Sequence, residues 1–490
     1  MELIKVKKLN EVYFKITADP STMMELNEYF TFDVPGAKFS PKFKNKVWDG
    51  KIRLFNAMTG LLYCGLNKEV EKFCKSRGYN LEYQYDTGLA EFSLKEANEF
   101  INWLKIPEQF ERRDYQIEAF VHAIRNRRGL LLSPTASGKS FIIYLIVRYY
   151  EELLRGSKSK FLIIVPNTNL VNQLTGDFAD YGYVSDRKIH RIFAGQDKNT
   201  DKLITISTWQ SLYKLPKEYF KQFDIVIGDE AHLFKAKSLV SIMSSLIDCK
   251  YRFGFTGTLD GALTNELVLQ GLFGPTKKVV STAELIEQKH ISQFEIKAIV
   301  LKHGHQTRKD LIKADYPTEL DFLVRNEHRN RFITNLALSL KGNTIILFQF
   351  IEKHGDVLLE LLNKQTEIPV YYIHGGIDTD DREEIRKIVK TKEKSIILAS
   401  SGTMSTGANI PNLTDIIFAS PSKARVKTLQ SIGRGLRKSP NKELCTLYDI
   451  ADDLTWKTRK NYTITHFVER IKMYNDEKFE YKVYPVNLKE

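Results

Sequence analysis

Cysteine, long apolar runs and negative charge are all in short supply in this chain, and each shortage removes a class of protein. Four cysteines occur in 490 residues, Cys64, Cys74, Cys249 and Cys445. They are scattered, without the paired spacings that hold zinc, and too few for a disulfide scaffold, so they read as ordinary thiols of a reducing compartment. No apolar stretch approaches the ~18–20 residues of a membrane span. The opening Met1-Glu2-Leu3-Ile4-Lys5 leads into no apolar centre or cleavage site of a secretory signal, so the expected location is cytoplasmic, with no membrane partner. No internal repeat, low-complexity linker or compact nuclease signature is visible. The 60 acidic residues stand against 73 Lys and Arg, a net charge of +13. Such an excess draws polyanions, nucleic acid before anything else.

What is present is a pair of short polar segments, each following an apolar run. Gly129-Leu130-Leu131-Leu132 leads into Ser133-Pro134-Thr135-Ala136-Ser137-Gly138-Lys139-Ser140, and Phe223-Asp224-Ile225-Val226-Ile227 leads towards Asp229-Glu230-Ala231-His232. A loop ending in Gly-Lys-Ser at a helix start turns backbone N–H groups towards a polyphosphate. Lys139 then reaches the β/γ oxygens and Ser140 places a hydroxyl on Mg²⁺. Asp229, at the tip of the second strand, completes the metal site, and Glu230 orients the attacking water. ATP and Mg²⁺ are therefore the expected ligands, although Ser133 replaces the first glycine of the consensus loop.

From about 110 to 275 apolar strands alternate with longer helical stretches, as in a parallel sheet covered on both faces, and a second alternation runs from about 280 to 455. The expected fold is α/β, with two tandem parallel-sheet domains behind a small α+β N-terminal domain. The expected boundaries are 1–95, 96–278, 279–455 and a C-terminal extension 456–490, helical and then extended, in which no role is legible. In the N-terminal part, residues 38–53 carry six cations against one anion, interleaved with Phe39, Phe43 and Trp48. Lys42, Lys44, Lys46, Lys51 and Arg53 are candidates to neutralise phosphates, with the aromatics packing on sugar or base. Trp48 is expected in the core. Asp449, Asp452 and Asp453 read as a helix start.

The ordered motifs from 110 to 455 resemble a superfamily 2 helicase, in which two RecA-like domains share one ATP. Arg113-Asp114-Tyr115-Gln116 resembles the adenine-recognising Q motif, which implies that Arg113 and Gln116 bind nucleotide with Pro134, Thr135, Ala136, Ser137, Gly138, Lys139 and Ser140. Val165-Pro166-Asn167-Thr168 and Ser207-Thr208-Trp209-Gln210 resemble the motifs that grip one nucleic-acid strand, implying contacts from Pro166, Asn167, Thr168, Thr208 and Gln210. Ser401 to Gly407 and Gln430 to Arg437 resemble motifs V and VI. The implied roles are backbone contact for Thr403, nucleotide contact for Gly407 and Gln430, and an arginine finger from Arg434 and Arg437 that completes the charge on closure. Gly375, in His374-Gly375-Gly376, is expected beside the nucleic acid. His232, Thr256 and Thr258 are expected to couple the two sites, His232 by a hydrogen bond to a neighbouring motif.

The whole chain is similar to the phage branch-migration helicases of the UvsW kind. The N-terminal Phe39-Ser40-Pro41-Lys42-Phe43 and Trp48-Asp49-Gly50-Lys51-Ile52-Arg53-Leu54 resemble the small N-terminal module of that group, and Tyr474-Asn475-Asp476-Glu477-Lys478-Phe479 its C-terminal segment. The resemblance implies a motor on branched, forked or duplex DNA in recombination, repair and fork rescue, extending to RNA–DNA hybrids, in the host cytoplasm if phage-encoded. Three readings compete: a duplex translocase that does not separate strands, an RNA helicase, and an annealing scaffold with a silent ATP site.

Overall fold

The computed structural model describes residues 2–34, 36–193, 196–259, 261–377, 379–405, 412–420, 433 and 444–489. The chain divides into two compact units, Met1–Val280 and Ser281–Glu490.

The first unit begins with β1 (Leu3–Lys8), β2 (Tyr13–Thr17), β3 (Thr31–Asp33), β4 (Lys51–Arg53), β5 (Leu61–Tyr63) and β6 (Asn80–Tyr83). Strands β5-β2-β1-β6 form one sheet, and β3 and β4 pair as a separate antiparallel ribbon. Side chains of β1 and β2 alternate inward and outward, so Ile4, Val6, Phe14 and Ile16 are buried on one face. The helix Asn67–Arg77 closes that face with Val70, Phe73 and Cys74.

A parallel sheet follows, built from β7 (Arg128–Leu132), β8 (Lys160–Val165), β9 (Ile189–Ile192), β10 (Ile204–Thr208), β11 (Phe223–Asp229), β12 (Tyr251–Thr256) and β13 (Thr276–Lys278). Among the described residues its order is β13-β7-β12-β11-β8-β10-β9. β8 reads KFLIIV and β12 YRFGFT, nearly continuous apolar runs, because helices cover both faces. Since neighbours run parallel, every strand delivers its carboxyl end to the same edge.

The N-terminal sheet shares its core with this α/β layer. Ile4, Phe14, Ile16 and Phe73 belong to one apolar cluster with Leu130, Leu162, Phe234 and Phe273. Gly65 marks the tightest approach, since a Cβ there would stand 1.8 Å from the Gln270 carbonyl oxygen. Glu11 N–H donates to the Ile247 carbonyl at 2.8 Å, and Arg128 Nη2 donates to the Glu11 carbonyl at 3.1 Å.

The second unit holds β14 (Gln293–Lys302), β15 (Asn343–Phe348), β16 (Val370–Ile373), β17 (Ile396–Ser400), β18 (Leu413–Phe418), β19 (Leu444–Asp453) and β20 (Tyr481–Asn487). Among the described residues they form a parallel sheet ordered β16-β17-β15-β18-β19-β14-β20. The tail that carried no legible role thus supplies the helix Tyr462–Asp476 and an outer strand, β20, parallel to β14.

Two expectations are corrected here. Asp449, Asp452 and Asp453 lie in β19 and start no helix. Asp449 is buried, accepts from Arg470 Nε at 2.9 Å, Arg470 Nη2 at 2.8 Å and the Tyr474 hydroxyl at 2.8 Å, and so ties the C-terminal helix to the sheet. Asp452 is buried against Arg329 Nε and His303 Nε2 at 2.9 and 3.1 Å. Three-residue spacing mimicked a helix cap, but the partners are distant in sequence. Trp48 is only half-buried; its indole N–H donates to the Lys51 carbonyl at 2.8 Å and shapes a loop instead of filling the core. All four cysteines are buried thiols, and burial pushes Cys249 up to about 12. Among the described residues no helix is long and apolar enough to cross a membrane.

Candidate functional site

The loop between β7 and the helix Lys139–Leu153 is held by hydrogen bonds of its own and from neighbouring segments. Ser133, in the place of the usual glycine, is buried; its N–H donates to the Thr256 carbonyl at 2.8 Å and its hydroxyl meets that of Ser137 at 2.6 Å. Ser137 in turn donates its hydroxyl to the Pro134 carbonyl at 2.7 Å. Ala136 and Gly138 adopt left-handed backbone, φ 68° and 82°, which turns the loop around its own amides. For alanine that conformation costs on the order of 1–2 kcal/mol, and neighbouring hydrogen bonds hold it. Arg113 Nη1 donates to the Ala136 carbonyl at 3.2 Å, while the Tyr115 hydroxyl and Gln116 Nε2 donate to the Ser137 carbonyl at 3.1 and 2.8 Å. Thr135, Ala136, Gly138, Lys139 and Ser140 are all half-buried at the mouth of the loop.

Gln116 itself is buried, and its Oε1 accepts from the Arg113 N–H at 3.2 Å. Two of the four hydrogen-bonding positions of its amide are therefore spent on bracing the loop.

Asp229 ends β11, and Glu230 follows with φ 51°, so the chain turns and presents both carboxylates to the loop. The Lys139 ammonium stands 3.4 Å from Asp229 Oδ1 and 3.2 Å from Glu230 Oε1. Burial alone would lower this ammonium, but the two carboxylates outweigh it and hold its pKa above the ordinary lysine value. Burial likewise pushes Glu230 upward, yet Lys139 and His232 together bring it down to about 2. Asp229 is shifted the other way, its burial outweighing the pull of Lys139 and holding its pKa above the ordinary carboxylate value. A half-buried carboxylate pair beside an ammonium, with the Ser140 hydroxyl at a helix N-terminus, is a donor set suited to a hard cation and a polyphosphate.

The hydrogen bond expected of His232 is made to Thr256: Nδ1 and Oγ1 lie 3.0 Å apart, and Nδ1 is 3.4 Å from Glu230 Oε2. Thr256 Oγ1 also donates to the Thr258 carbonyl at 3.0 Å. A continuous polar path therefore joins Glu230 to the end of β12.

Asn167 follows β8 and Thr208 ends β10, its neighbour in the sheet, both at the same edge. Asn167 Oδ1 caps the helix Thr168–Asp180 by accepting from the Leu170 N–H at 3.1 Å. Thr208 is buried with its hydroxyl 3.0 Å from that of Ser211, Gln210 and Thr168 are exposed, and Pro166 is half-buried. The carboxyl ends of β7 and β11 thus hold the nucleotide and catalytic candidates, that of β12 the coupling threonines, and those of β8 and β10 the strand-gripping ones. At a strand spacing of ~4.8 Å, β7 and β10 are ~19 Å apart.

Lys42, Lys44, Lys46, Lys51 and Arg53 are exposed on the segment that includes β4, with Arg53 ion-paired to Asp49. In the second unit, Gly375 is exposed beyond β16, its carbonyl accepting from Arg382 Nη2 at 3.1 Å, and the Thr403 hydroxyl is 2.7 Å from that of Ser400. Gly407, Gln430, Arg434 and Arg437 lie outside the described residues. Two contacts had no signal in the sequence. Tyr115 sits inside a recognised motif yet braces the loop through its hydroxyl, and Tyr181 meets the Ser140 hydroxyl at 3.0 Å from 41 positions away.

Comparison with known proteins places this geometry. Residues 109–261 match the family described as "Type III restriction enzyme, res subunit", and residues 327–439 the "Helicase conserved C-terminal domain". Residues 3–84 match "DNA helicase UvsW, N-terminal". Over 99% of its length the chain is 34% identical to the ATP-dependent DNA helicase uvsW of Enterobacteria phage T4, 100% of which is covered. The chain belongs to the UvsW family of superfamily 2 helicases. The crystal structure of T4 UvsW matches with TM-score 0.52 and 32% identity, covering 99% of this chain and 100% of that one. A "DNA 3'-5' translocase XPB2" of Sulfurisphaera tokodaii is 25% identical over 69% of this chain and 81% of its own length. The two parallel sheets are accordingly a pair of RecA-like domains, and the chain is an ATP-hydrolysing helicase.

Proposed function

We propose that this UvsW-family chain couples ATP hydrolysis to unwinding or branch migration of forked and junction DNA, in recombination, repair and replication-fork rescue. The observation that carries the reading is the Lys139 ammonium lodged against Asp229 and Glu230 at 3.4 and 3.2 Å, at the end of a braced loop. Residues 133–140 hold the triphosphate, with Arg113 and Gln116 behind the loop. Ser140 and Asp229 would hold Mg²⁺, which when bound neutralises phosphate charge. Glu230, kept ionised at neutral pH, positions the attacking water, while Arg434 and Arg437 supply positive charge to the γ-phosphoryl oxygens and Gly407 and Gln430 contact the nucleotide. The His232–Thr256–Thr258 path relays nucleotide state. Pro166, Asn167, Thr168, Thr208, Gln210, Gly375 and Thr403 grip the backbone of one strand, and Lys42, Lys44, Lys46, Lys51 and Arg53 neutralise phosphates of a duplex arm.

In this reading the N-terminal domain spans 1–95, the motor domains 96–278 and 279–455, and the extension 456–490. The protein works in the cytoplasm of the host, on DNA and on RNA–DNA hybrids. A duplex translocase without strand separation is the second reading, favoured by the 25% identity to the archaeal translocase. The test is ATP hydrolysis alone and with single strand, linear duplex, four-way junction and RNA. Strongest stimulation by the junction supports branch migration, equal stimulation by linear duplex supports the translocase, and indifference to every polymer refutes both.

A further inference from the structure

The segment 36–50, carried on the ribbon β3–β4, combines features that the nucleotide site does not use. Phe39 is 72% exposed and Val47 76% exposed, with Phe43 at 38%. Scattered exposed apolar residues are ordinary. These are concentrated in one short loop and alternate with Lys38, Lys42, Lys44 and Lys46.

The loop is also built. Val47 N–H donates to the Lys42 carbonyl at 2.9 Å, Ala37 N–H to Val34 at 3.0 Å and Val34 N–H to Gly50 at 2.8 Å. Gly50 has φ 78°, and a Cβ there would meet the Phe43 ring at 3.0 Å, so the ring lies across the loop base. Phe43 and Trp48 therefore maintain the shape, while Phe39 and Val47 are held out to solvent. Leu54 N–H donates to the Phe30 carbonyl at 3.0 Å just past the ribbon, anchoring it to the core that the N-terminal sheet shares with the phosphate-loop sheet.

A loop that exposes apolar side chains among cations fits a polymer whose outside is anionic and whose inside is flat and apolar. In an intact duplex the base faces are covered by stacking and such a loop gains nothing. Where the stack is interrupted, at a fork or junction, the faces are open. We propose that segment 36–50 is a wedge specific for the branch point: Lys42, Lys44 and Lys46 hold the flanking phosphates while Phe39 and Val47 pack on the exposed bases. This rests on the DNA-motor reading and goes beyond it by assigning structure selectivity to two apolar side chains. Because the loop and the phosphate loop belong to one compact unit, the wedge is carried along with the ATP site.

The experiment compares the full chain with Phe39→Ala/Val47→Ala and with Lys42→Gln/Lys44→Gln/Lys46→Gln, on a four-way junction and a linear duplex of matched sequence. A 2-aminopurine at the branch point reports unstacking. The apolar variant is expected to bind the linear duplex within about twofold of wild type, keep its salt dependence, lose about tenfold in preference for the junction and fail to raise 2-aminopurine fluorescence. The lysine variant is expected to weaken on both DNAs and flatten the salt dependence. An apolar variant with unchanged junction preference would overturn the wedge and leave Phe39 and Val47 to a protein partner. Equal losses on junction and duplex would overturn it too, by making the loop a general contact. If wild-type ATP hydrolysis ignores every DNA, the motor reading itself fails, an outcome distinct from either of these.

Discussion

Replacing Lys139 with alanine tests the site most directly, because the lysine both serves the nucleotide and faces two half-buried carboxylates. At ~3.3 Å and an effective dielectric of ~20 each contact is worth about 5 kcal/mol of gross attraction, most of it offset by desolvation. Removing one partner of a buried pair costs about 3–5 kcal/mol. With the lysine side chain 18% exposed and the carboxylates 14% and 22% exposed, solvent screening reduces that figure to about 2–3 kcal/mol. For a unit of this size that is a drop in melting midpoint of roughly 3–5 °C. ATP hydrolysis should fall by about 10²–10³, the usual effect of deleting one transition-state donor, with DNA affinity preserved.

The pH dependence supplies an independent check on the same variant. In wild type, Glu230 lies at about 2, below its unfolded value, so its contribution is present above the ordinary carboxylate range and is lost as pH falls towards 2, while burial holds Asp229 above its unfolded value and acts in the opposite sense. Without the ammonium, burial and the Asp229–Glu230 repulsion raise the pair above that range. The folded variant then takes up a proton that its unfolded chain does not, and its stability rises as pH falls from 7.5 to 5.5. Calorimetry of the nucleotide-free proteins in EDTA should show the gap to wild type narrowing across that window, and Mg²⁺ should rescue the variant more than wild type. A gap that stays constant or widens towards pH 5.5 would refute the charge balance drawn for this site.

Gly138→Ala should raise the KM for ATP, since the residue holds φ 82° and a Cβ would strike Gln116 Nε2 at 2.2 Å; an unchanged KM by steady-state kinetics would show the loop to be pliable. Arg470→Ala leaves Asp449 buried without its countercharge, the Tyr474 hydroxyl remaining, and should destabilise the second unit by about 3–5 kcal/mol in calorimetry, whereas Arg470→Met with Asp449→Leu should recover most of that loss. The triple Lys42, Lys44 and Lys46 neutralisation should reduce the slope of log K against log salt on duplex DNA by up to about 2.7; titration at several salt concentrations with an unreduced slope would remove the patch from the DNA path.

Much of the site was legible because its parts are local. A loop with Gly-Lys-Ser after Leu130–Leu132, or Asp-Glu-Ala-His after Ile225–Ile227, needs only a buried strand and the turn that follows it, and both are encoded within a dozen residues. The interior strands of both sheets could be read because burial on both faces demands unbroken apolar runs. Short or outer strands such as β9, β13 and β20 carry no such run; β20 exposes Val483 and Tyr484.

What the sequence alone determined was therefore the chemistry available at each strand end, and the order in which the chain presents it. The tertiary structure decided which groups meet. Tyr181 reaches Ser140, Arg470 reaches Asp449, and Gln116 braces Ser137 because parallel crossovers bring distant segments to one edge. It also decided that the N-terminal sheet and the phosphate-loop sheet share a core, with Gly65 pressed against Gln270. Such contacts depend on side-chain volume and on backbones approaching across long loops. No periodicity or local spacing encodes that.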